Sequence, residues 1–200
     1  VLVAGHGGRG GAVGARVVSK REFAGYWEYM LEEAIFTSPA HPNWGGTALI
    51  GQDGKLLGIG SLYVEDAADT SDGDDSRNGN MFVPIDLLTP ILDEMLSEGR
   101  TAASHRPWMG LFTAEVEGGV EVIGLAQDGP AERSGLQLGD AIVKVNGTAI
   151  ASMAELYRRA WSSGAAGVDI KMTVLRETYA FELTVKSEDR YTRLKFQRQF

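Results

Sequence analysis

Apolar and polar positions along the chain first indicate a hairpin. The apolar run 48–50 leads into Gly51-Gln52-Asp53-Gly54, and a second apolar run follows at 56–63. Asp-Gly between two apolar runs is a strong short-range indicator of a β-hairpin. Further short apolar runs predict strands at 1–5, 15–19 and 81–85. The first hundred residues are therefore predicted to be mainly β structure.

Residues 22–35 allow two interpretations. Their apolar side chains recur at the spacing of a helix face, but the same residues would also suit two strands bent around a core. The residues concerned are Phe23, Tyr26, Trp27, Met30 and Leu31. The pattern alone leaves both alternatives open.

A second apolar stripe predicts a helix over residues 88–96. Thr89 and Pro90 are suited to the N-cap and first helical positions, and Gly99 lies where a helix-ending glycine is expected. The stripe consists of Leu88, Ile91, Leu92, Met95 and Leu96. The stretch 100–107 that follows has no periodicity, which favours a domain boundary there.

The rest of the chain has the pattern of a complete second domain. Ser152 and Glu155 form a capping box that predicts a helix reaching about residue 162, and a short helix is expected between 128 and 135. Strands are predicted at 121–125, 141–145, 168–175 and 179–185. We therefore expect one unit at 1–100, a second at 101–188 and a basic tail at 189–200.

Composition excludes several classes of function. The net charge of −8, from 27 acidic and 19 basic residues, disfavours nucleic acid as a partner. The chain has no cysteine, which excludes disulfides and thiolate metal sites, and no apolar run long enough to span a membrane. It begins at Val1 without a leader, so we expect a processed product or part of a longer protein, with any targeting segment outside the sequence.

The acidic segment 65–80 was considered as a calcium site. Its carboxylates suit a hard cation, but their spacing lacks the alternating ligands and the closing glutamate of a calcium loop. We therefore expect a solvated loop, and we predict neither a metal nor a cofactor.

Residues 135–147, which read GLQLGDAIVKVNG, resemble a bacterial-type PDZ domain. Residues 83–87 and the helix that follows resemble the linker helix of the HtrA/Deg serine proteases, and the earlier strands resemble the second β-barrel of that family. The resemblance implies a mainly β fold with some α: a trypsin-like second barrel, a linker helix and a PDZ domain.

The loop 41–49 resembles the nucleophile loop of that family, but the serine is missing. One register places Trp44 at the family's asparagine and Gly45 at its serine. The other places Trp44 at the serine and Pro42, which has no N–H, at an oxyanion-hole glycine. The degenerate loop centres on Asn43, Trp44 and Gly45, and neither register supplies a hydroxyl.

The family's other catalytic groups are absent as well. Its histidine and aspartate belong to a first barrel that the sequence does not contain, and His6, His41 and His105 match none of the motif positions. Thr47 and Ser38 are displaced from the serine position by two or more residues. We therefore predict no catalytic residue in this chain.

The resemblance implies that the PDZ domain binds peptide or protein C-termini with an apolar last residue. The carboxylate loop would be Trp108, Met109, Gly110 and Leu111, and the edge strand would continue through Phe112. Met153, Tyr157 and Ala160 would line the facing helix. The alternative is that Met153 and Tyr157 only pack the core, for which Leu156 is the safer candidate.

Three functions follow as hypotheses. The first is a non-catalytic HtrA-like protein that binds peptides in the periplasm or another extracytoplasmic compartment. The second is a fragment of an active HtrA-like endopeptidase involved in protein quality control. The third is an assembly scaffold with an unused PDZ groove, in which an exposed Trp44 would contribute a contact surface. A homo-oligomer is compatible with each of them.

Overall fold

The structure is a computed structural model that describes residues 1–68, 78–101 and 105–193. Internal contacts divide the chain into two units. The first contains residues 1–23 and 31–102, and the second contains residues 24–30 and 103–200. The linear boundaries expected from the sequence leave the segment 24–30 in the first unit, whereas its contacts group it with the second.

The first unit is built on one antiparallel sheet of seven strands. In chain order they are β1 (Leu2–Ala4), β2 (Ala12–Gly14), β3 (Arg16–Gly25), β4 (Tyr29–Ser38), β5 (Ala48–Ile50), β6 (Leu56–Val64) and β7 (Gly79–Pro84). Their order across the sheet is β2-β1-β5-β6-β7-β4-β3. The predicted hairpin joins β5 to β6, and residues 22–35 form a strand pair rather than a helix.

The core of the first unit is made by buried apolar side chains of these strands and of the residue between β2 and β3. Val3, Leu49 and Phe82 are fully buried, and Ala15 and Ile35 complete the cluster. Side chains at every second strand position point to one face, so a few short strands are sufficient to enclose an apolar centre.

The predicted helix over 88–96 is wrong at its start. Two 3₁₀ turns, Ile85–Leu87 and Thr89–Ile91, precede the helix α1, which spans Leu92–Glu98. Thr89 therefore does not cap α1, whereas Gly99 ends it in the left-handed conformation at φ 70°. The apolar stripe remains accessible to solvent, and Leu96 is 77% exposed.

The second unit contains a six-stranded sheet and three helices. The strands are β8 (Leu111–Val116), β9 (Gly119–Leu125), β10 (Ala141–Val145), β11 (Thr148–Ala149), β12 (Asp169–Arg176) and β13 (Tyr179–Lys186). The helices are α2 (Pro130–Arg133), α3 (Met153–Trp161) and α4 (Arg190–Arg193). The sheet order is β13-β12-β10-β9-β8, with β11 paired to β10, so β8 is an edge strand.

The capping box predicted for α3 is present. Ser152 Oγ accepts from the amide of Glu155 at 3.2 Å, and the Glu155 carboxylate accepts from the amide of Ala151 at 2.8 Å. The inner face of α3, which includes Leu156, packs in one apolar cluster with Ile142 of β10. The predicted fold class, mainly β with helices, is confirmed.

Two sequence predictions fall largely on residues that the structure does not describe. Most of the acidic segment 65–80 lies at 69–77, and the basic tail is described only as far as Arg193. Among residues 1–68, 78–101 and 105–193, no group of three or more histidine or acidic side chains could hold a metal ion. No helix in these ranges is long and apolar enough to cross a membrane.

Candidate functional site: a backbone carboxylate loop

The loop before β8 has its carbonyl groups anchored by the second unit. The carbonyl of Trp108 accepts from the amide of Glu188 at 2.9 Å. Those of Met109 and Gly110 accept from Ala131 and Ala126, each at 2.8 Å. Because consecutive carbonyls are held on one side, the loop amides are free to face the other.

Those amides converge on the side chain of Glu28. Its Oε1 accepts from Gly110 N at 2.6 Å and from Leu111 N at 2.7 Å, and its Oε2 accepts from Met109 N at 2.9 Å. Gly110 has φ +80°, which turns successive N–H groups toward one point and favours glycine there. The loop is thus a backbone nest that holds one carboxylate.

Burial sets the protonation behaviour of this carboxylate. Glu28 is 7% exposed, and loss of hydration raises its pKa from 4.5 to about 7. The three loop amides and the positive charge of Arg190 oppose this rise, because they stabilise the ionised form. The site therefore binds a carboxylate that titrates near neutral pH.

The backbone around Glu28 is also held by the second unit. The amide of Thr113 on β8 donates to the carbonyl of Tyr26 at 2.9 Å, a bond of the kind that joins neighbouring strands. Tyr157 on α3 donates from its hydroxyl to the carbonyl of Gly25 at 2.8 Å. Segment 24–30 thus contacts both β8 and α3.

The predicted peptide-binding residues on β8 and α3 differ in how far they are buried. Phe112 is 36% exposed, with its ring 6.1 Å from that of Tyr26, and Met153 is half-buried at the start of α3. Tyr157 and Ala160 are fully buried. Tyr157 therefore packs in the core with its ring and reaches segment 24–30 with its hydroxyl. Its role in binding a peptide stays a prediction.

The loop 41–49 in the first unit is organised around His41. This side chain is 3% exposed, its Nε2 lies 2.9 Å from the carbonyl oxygen of Gly11, and its Nδ1 accepts from the amide of Asn43 at 3.1 Å. Both ring nitrogens are therefore engaged by the backbone, with Nε2 as donor. Asn43 and Gly45 are exposed, whereas Trp44 is half-buried.

The two hydroxyls considered as substitute nucleophiles are both buried and hydrogen-bonded. Thr47 Oγ1 donates to the carbonyl of Trp44 at 2.8 Å, and Ser38 Oγ donates to that of Asn78 at 3.1 Å. Gly60 lies under the same loop, and a Cβ there would be 2.2 Å from the Trp44 carbonyl oxygen. The loop is therefore a tightly packed turn against β6.

Sequence reasoning missed Glu28 and Tyr26 as partners of the loop. Glu28 is separated from Met109 by 81 residues, and nothing in the local sequence indicates such a pairing. One backbone signal exists: Glu28 has φ +57°, which is uncommon outside glycine and marks residues held by their surroundings.

Comparisons with known proteins identify relatives of this chain. Residues 107–187 match the PDZ domain family. The chain is 26% identical over 155 residues to the serine protease Do-like HtrA of Bacillus subtilis (strain 168), covering 68% of this chain and 32% of that protein. It is 29% identical over 101 residues to the serine endoprotease DegS of Haemophilus influenzae, covering 50% of this chain and 28% of that protein.

A third relative is a probable periplasmic serine endoprotease, DegP-like, of Pseudomonas putida (strain W619). It is 26% identical over 153 residues, which cover 68% of this chain and 29% of that protein. A solved structure described as HtrA-type protease AlgW with decapeptide matches with a TM-score of 0.49 at 24% identity, covering 80% of this chain and 50% of that one. The chain spans about a third of the length of these curated relatives. Residues 107–187 thus match a PDZ domain, and the chain is similar to serine proteases of the HtrA and Deg types.

Proposed function

We propose that this chain is a non-catalytic HtrA-like protein that binds peptides through its PDZ domain. One observation carries the proposal: three consecutive amides, those of Met109, Gly110 and Leu111, converge on a single carboxylate. PDZ domains bind a peptide as an added strand and hold its terminal carboxylate on such backbone groups. Both requirements, an edge strand at β8 and a carboxylate nest before it, are present in the second unit.

Accessible apolar side chains on β8 and α3 support a ligand with an apolar last residue. Phe112 on β8 and Met153 on α3 both present accessible apolar surface. A peptide ending in an apolar side chain would bury that surface, whereas a charged last residue would lose its hydration there without gaining a partner.

The first unit supports the non-catalytic part of the proposal. A serine-type nucleophile needs a hydroxyl within hydrogen-bond reach of a base that is free to take its proton. Here Thr47 and Ser38 donate to carbonyl oxygens, and both nitrogens of His41 are engaged by the backbone. Exposed Gly45, at the serine position in one register, has no side chain to react.

The test is a peptide titration followed by fluorescence anisotropy. A labelled decapeptide ending in valine with a free carboxylate should bind saturably, and the same peptide with an amidated terminus should not. Met153→Glu should weaken binding at least several-fold, whereas Met95→Glu, at an exposed position of the first unit, should not. Equal binding of the two peptides, or no binding below about 1 mM, would refute the proposal and favour the scaffold.

A second candidate is a fragment of an active endopeptidase, which the printed names of the relatives favour. Labelling with a serine-directed fluorophosphonate separates the two. We expect no labelling of the chain in its full-length natural form, under conditions in which a trypsin-like protease is labelled completely. Specific labelling there would overturn the non-catalytic assignment.

The compartment is part of the same proposal. We place the protein outside the cytoplasm, because it is related to a protein named as periplasmic. Cell fractionation of the source organism with an antibody against this chain would test the placement.

A further inference from the structure

Residues 24–30, which we call the resident segment, contact the elements of the second unit that would bind a peptide. It contacts the free edge of β8 through the bond from Thr113 to Tyr26, and it contacts α3 through the hydroxyl of Tyr157. Its glutamate, Glu28, takes all three amides of the carboxylate loop. Capture of a carboxylate by the loop is one of the two features by which a PDZ domain binds a peptide, and the bond to Tyr26 lies on the edge that the other feature, an added strand, would use.

One unfavourable feature of Glu28 is compensated by this contact. Its carboxylate is almost fully removed from water. A solvent-exposed turn would leave that carboxylate hydrated. The loop amides compensate the lost hydration, and the bonds to β8 and α3 hold the backbone.

The resident segment is also anchored next to the loop. Met30 is 8% exposed and packs in the same apolar cluster as Met109 and Leu111. The rings of Trp27 and Tyr29, the sequence neighbours of Glu28, stack with their centroids 5.8 Å apart. Because Met30 holds the chain close by, Glu28 has a high effective concentration at the nest.

We propose that the resident segment is a built-in ligand that closes the peptide groove, with the Glu28 side chain in place of a chain-terminal carboxylate. This inference rests on the proposed peptide-binding function. An outside peptide and Glu28 require the same three amides, so they exclude each other. The apparent affinity for the peptide then equals its affinity for the open nest multiplied by the fraction of molecules in which the nest is open.

The first experiment measures peptide affinity in variants of the whole chain. Glu28→Ala should bind the free-carboxylate decapeptide at least about tenfold more tightly than the wild type, because its nest has no competitor. Glu28→Gln keeps the shape and should give an intermediate value. Glu117→Ala, which removes an exposed glutamate from the turn after β8, is the matched control and should leave the affinity unchanged.

The second experiment reports on the nest without any outside ligand. Amide hydrogen exchange of Met109, Gly110 and Leu111 should be slow in the wild type and in Glu117→Ala, and at least about tenfold faster in Glu28→Ala. Circular dichroism confirms that each variant is folded. If Glu28→Ala does not fold, Glu28→Asp, whose side chain is one methylene shorter, provides the comparison.

The outcomes separate this inference from the function on which it rests. Equal peptide affinities in wild type and Glu28→Ala, with saturable binding in both, would overturn the built-in ligand and leave peptide binding intact. Equally slow hydrogen exchange of the loop amides in wild type and Glu28→Ala would also overturn the built-in ligand. Fast loop amides in Glu28→Ala together with equal binding of free-acid and amidated peptides would instead overturn peptide binding.

Discussion

The hydroxyl of Tyr157 donates a 2.8 Å hydrogen bond to the carbonyl oxygen of Gly25, which lies 132 residues earlier in the chain. The same hydroxyl is 2.9 Å from Thr113 Oγ1, which acts as donor because the phenolic proton is already used. Tyr157 is fully buried, and burial raises the pKa of its hydroxyl. One neutral hydroxyl thus links the resident segment, β8 and α3.

Removal of that hydroxyl should loosen the resident segment. In Tyr157→Phe the carbonyl of Gly25 and the hydroxyl of Thr113 both lose a partner, which should lower the free energy of unfolding by about 1–2 kcal/mol. Affinity for the free-carboxylate decapeptide should rise several-fold. Urea unfolding and anisotropy check the two effects, with Tyr179→Phe, 75% exposed, as the control. An unchanged unfolding free energy would contradict the prediction.

Acidity should favour the closed groove. The pKa of Glu28 is about 7 when the carboxylate is held by the loop and near 4.5 when it is in water. The closed state therefore binds more protons between these values, so closure is strongest below 4.5 and weakens as the pH rises through 7. The difference between the two pKa values of Glu28 corresponds to a change of about 3 kcal/mol in the free energy of closure.

The measurement is peptide affinity between about pH 5 and about pH 8, a range in which the terminal carboxylate of the peptide stays ionised. We expect binding to tighten as the pH rises. Arg190 opposes the raised pKa of Glu28, so Arg190→Gln should move the transition to higher pH. Glu28→Gln should abolish the pH dependence, and its persistence in this variant would assign it to another group.

The buried ion pair between Asp140 and Arg176 should contribute strongly to the stability of the second unit. Asp140 has no exposed surface, and its oxygens accept from Arg176 at 2.6 and 2.8 Å and from the amide of Gln137 at 2.8 Å. Burial raises the pKa of this carboxyl, but the bonds from Arg176 and Gln137 outweigh it, so the pKa lies below 3.8.

Asp140→Asn should therefore lower the free energy of unfolding near neutral pH, because the Arg176 guanidinium loses its charged partner. The depressed pKa means that the contribution is present above pH 3.8 and is lost as the pH falls through the folded-state value. Urea unfolding checks the loss, and exposed Asp169→Asn serves as the control. Equal midpoints for the two variants would show that the pair adds no stability.

Gly60→Ala should destabilise the first unit. The added Cβ would lie 2.2 Å from the Trp44 carbonyl oxygen and 2.3 Å from Thr47 Oγ1, so the loop would have to move away from β6. Overpacking of this kind costs about 3 kcal/mol at the upper end of its usual range. Gly45→Ala, where a Cβ meets no atom within 4 Å, is the control, and both are compared by urea unfolding.

The helices and strands were predicted correctly where the apolar periodicity and the turn residues indicated the same element. The Asp53-Gly54 hairpin, the Ser152 capping box and the strands of the second unit are all present. The predicted start of α1 is wrong because Pro90 lies in a 3₁₀ turn rather than at the first position of the helix. For residues 22–35, apolar residues at helix spacing also suited two strands bent around a core, and only long-range pairing decides between them.

The candidate site was predictable only in part for a different reason. The glycine-containing motif 135–147 and the position of the loop Trp108–Leu111 follow from the family resemblance. The structure shows that the amides of this loop converge. Their partner Glu28 lies in the other half of the sequence, between two aromatic residues with no acidic motif. Such a pairing depends on how the chain folds back, which local propensities do not encode.

The anchored carbonyls of Trp108, Met109 and Gly110 have a kinetic consequence. Since Glu188, Ala131 and Ala126 hold these groups, the nest keeps its shape whichever carboxylate it contains. Exchange of one carboxylate for another then requires no refolding of the loop, and departure of Glu28 becomes the slow step. The observed rate of peptide association should level off at high peptide concentration, at a plateau equal to the opening rate of the protein itself.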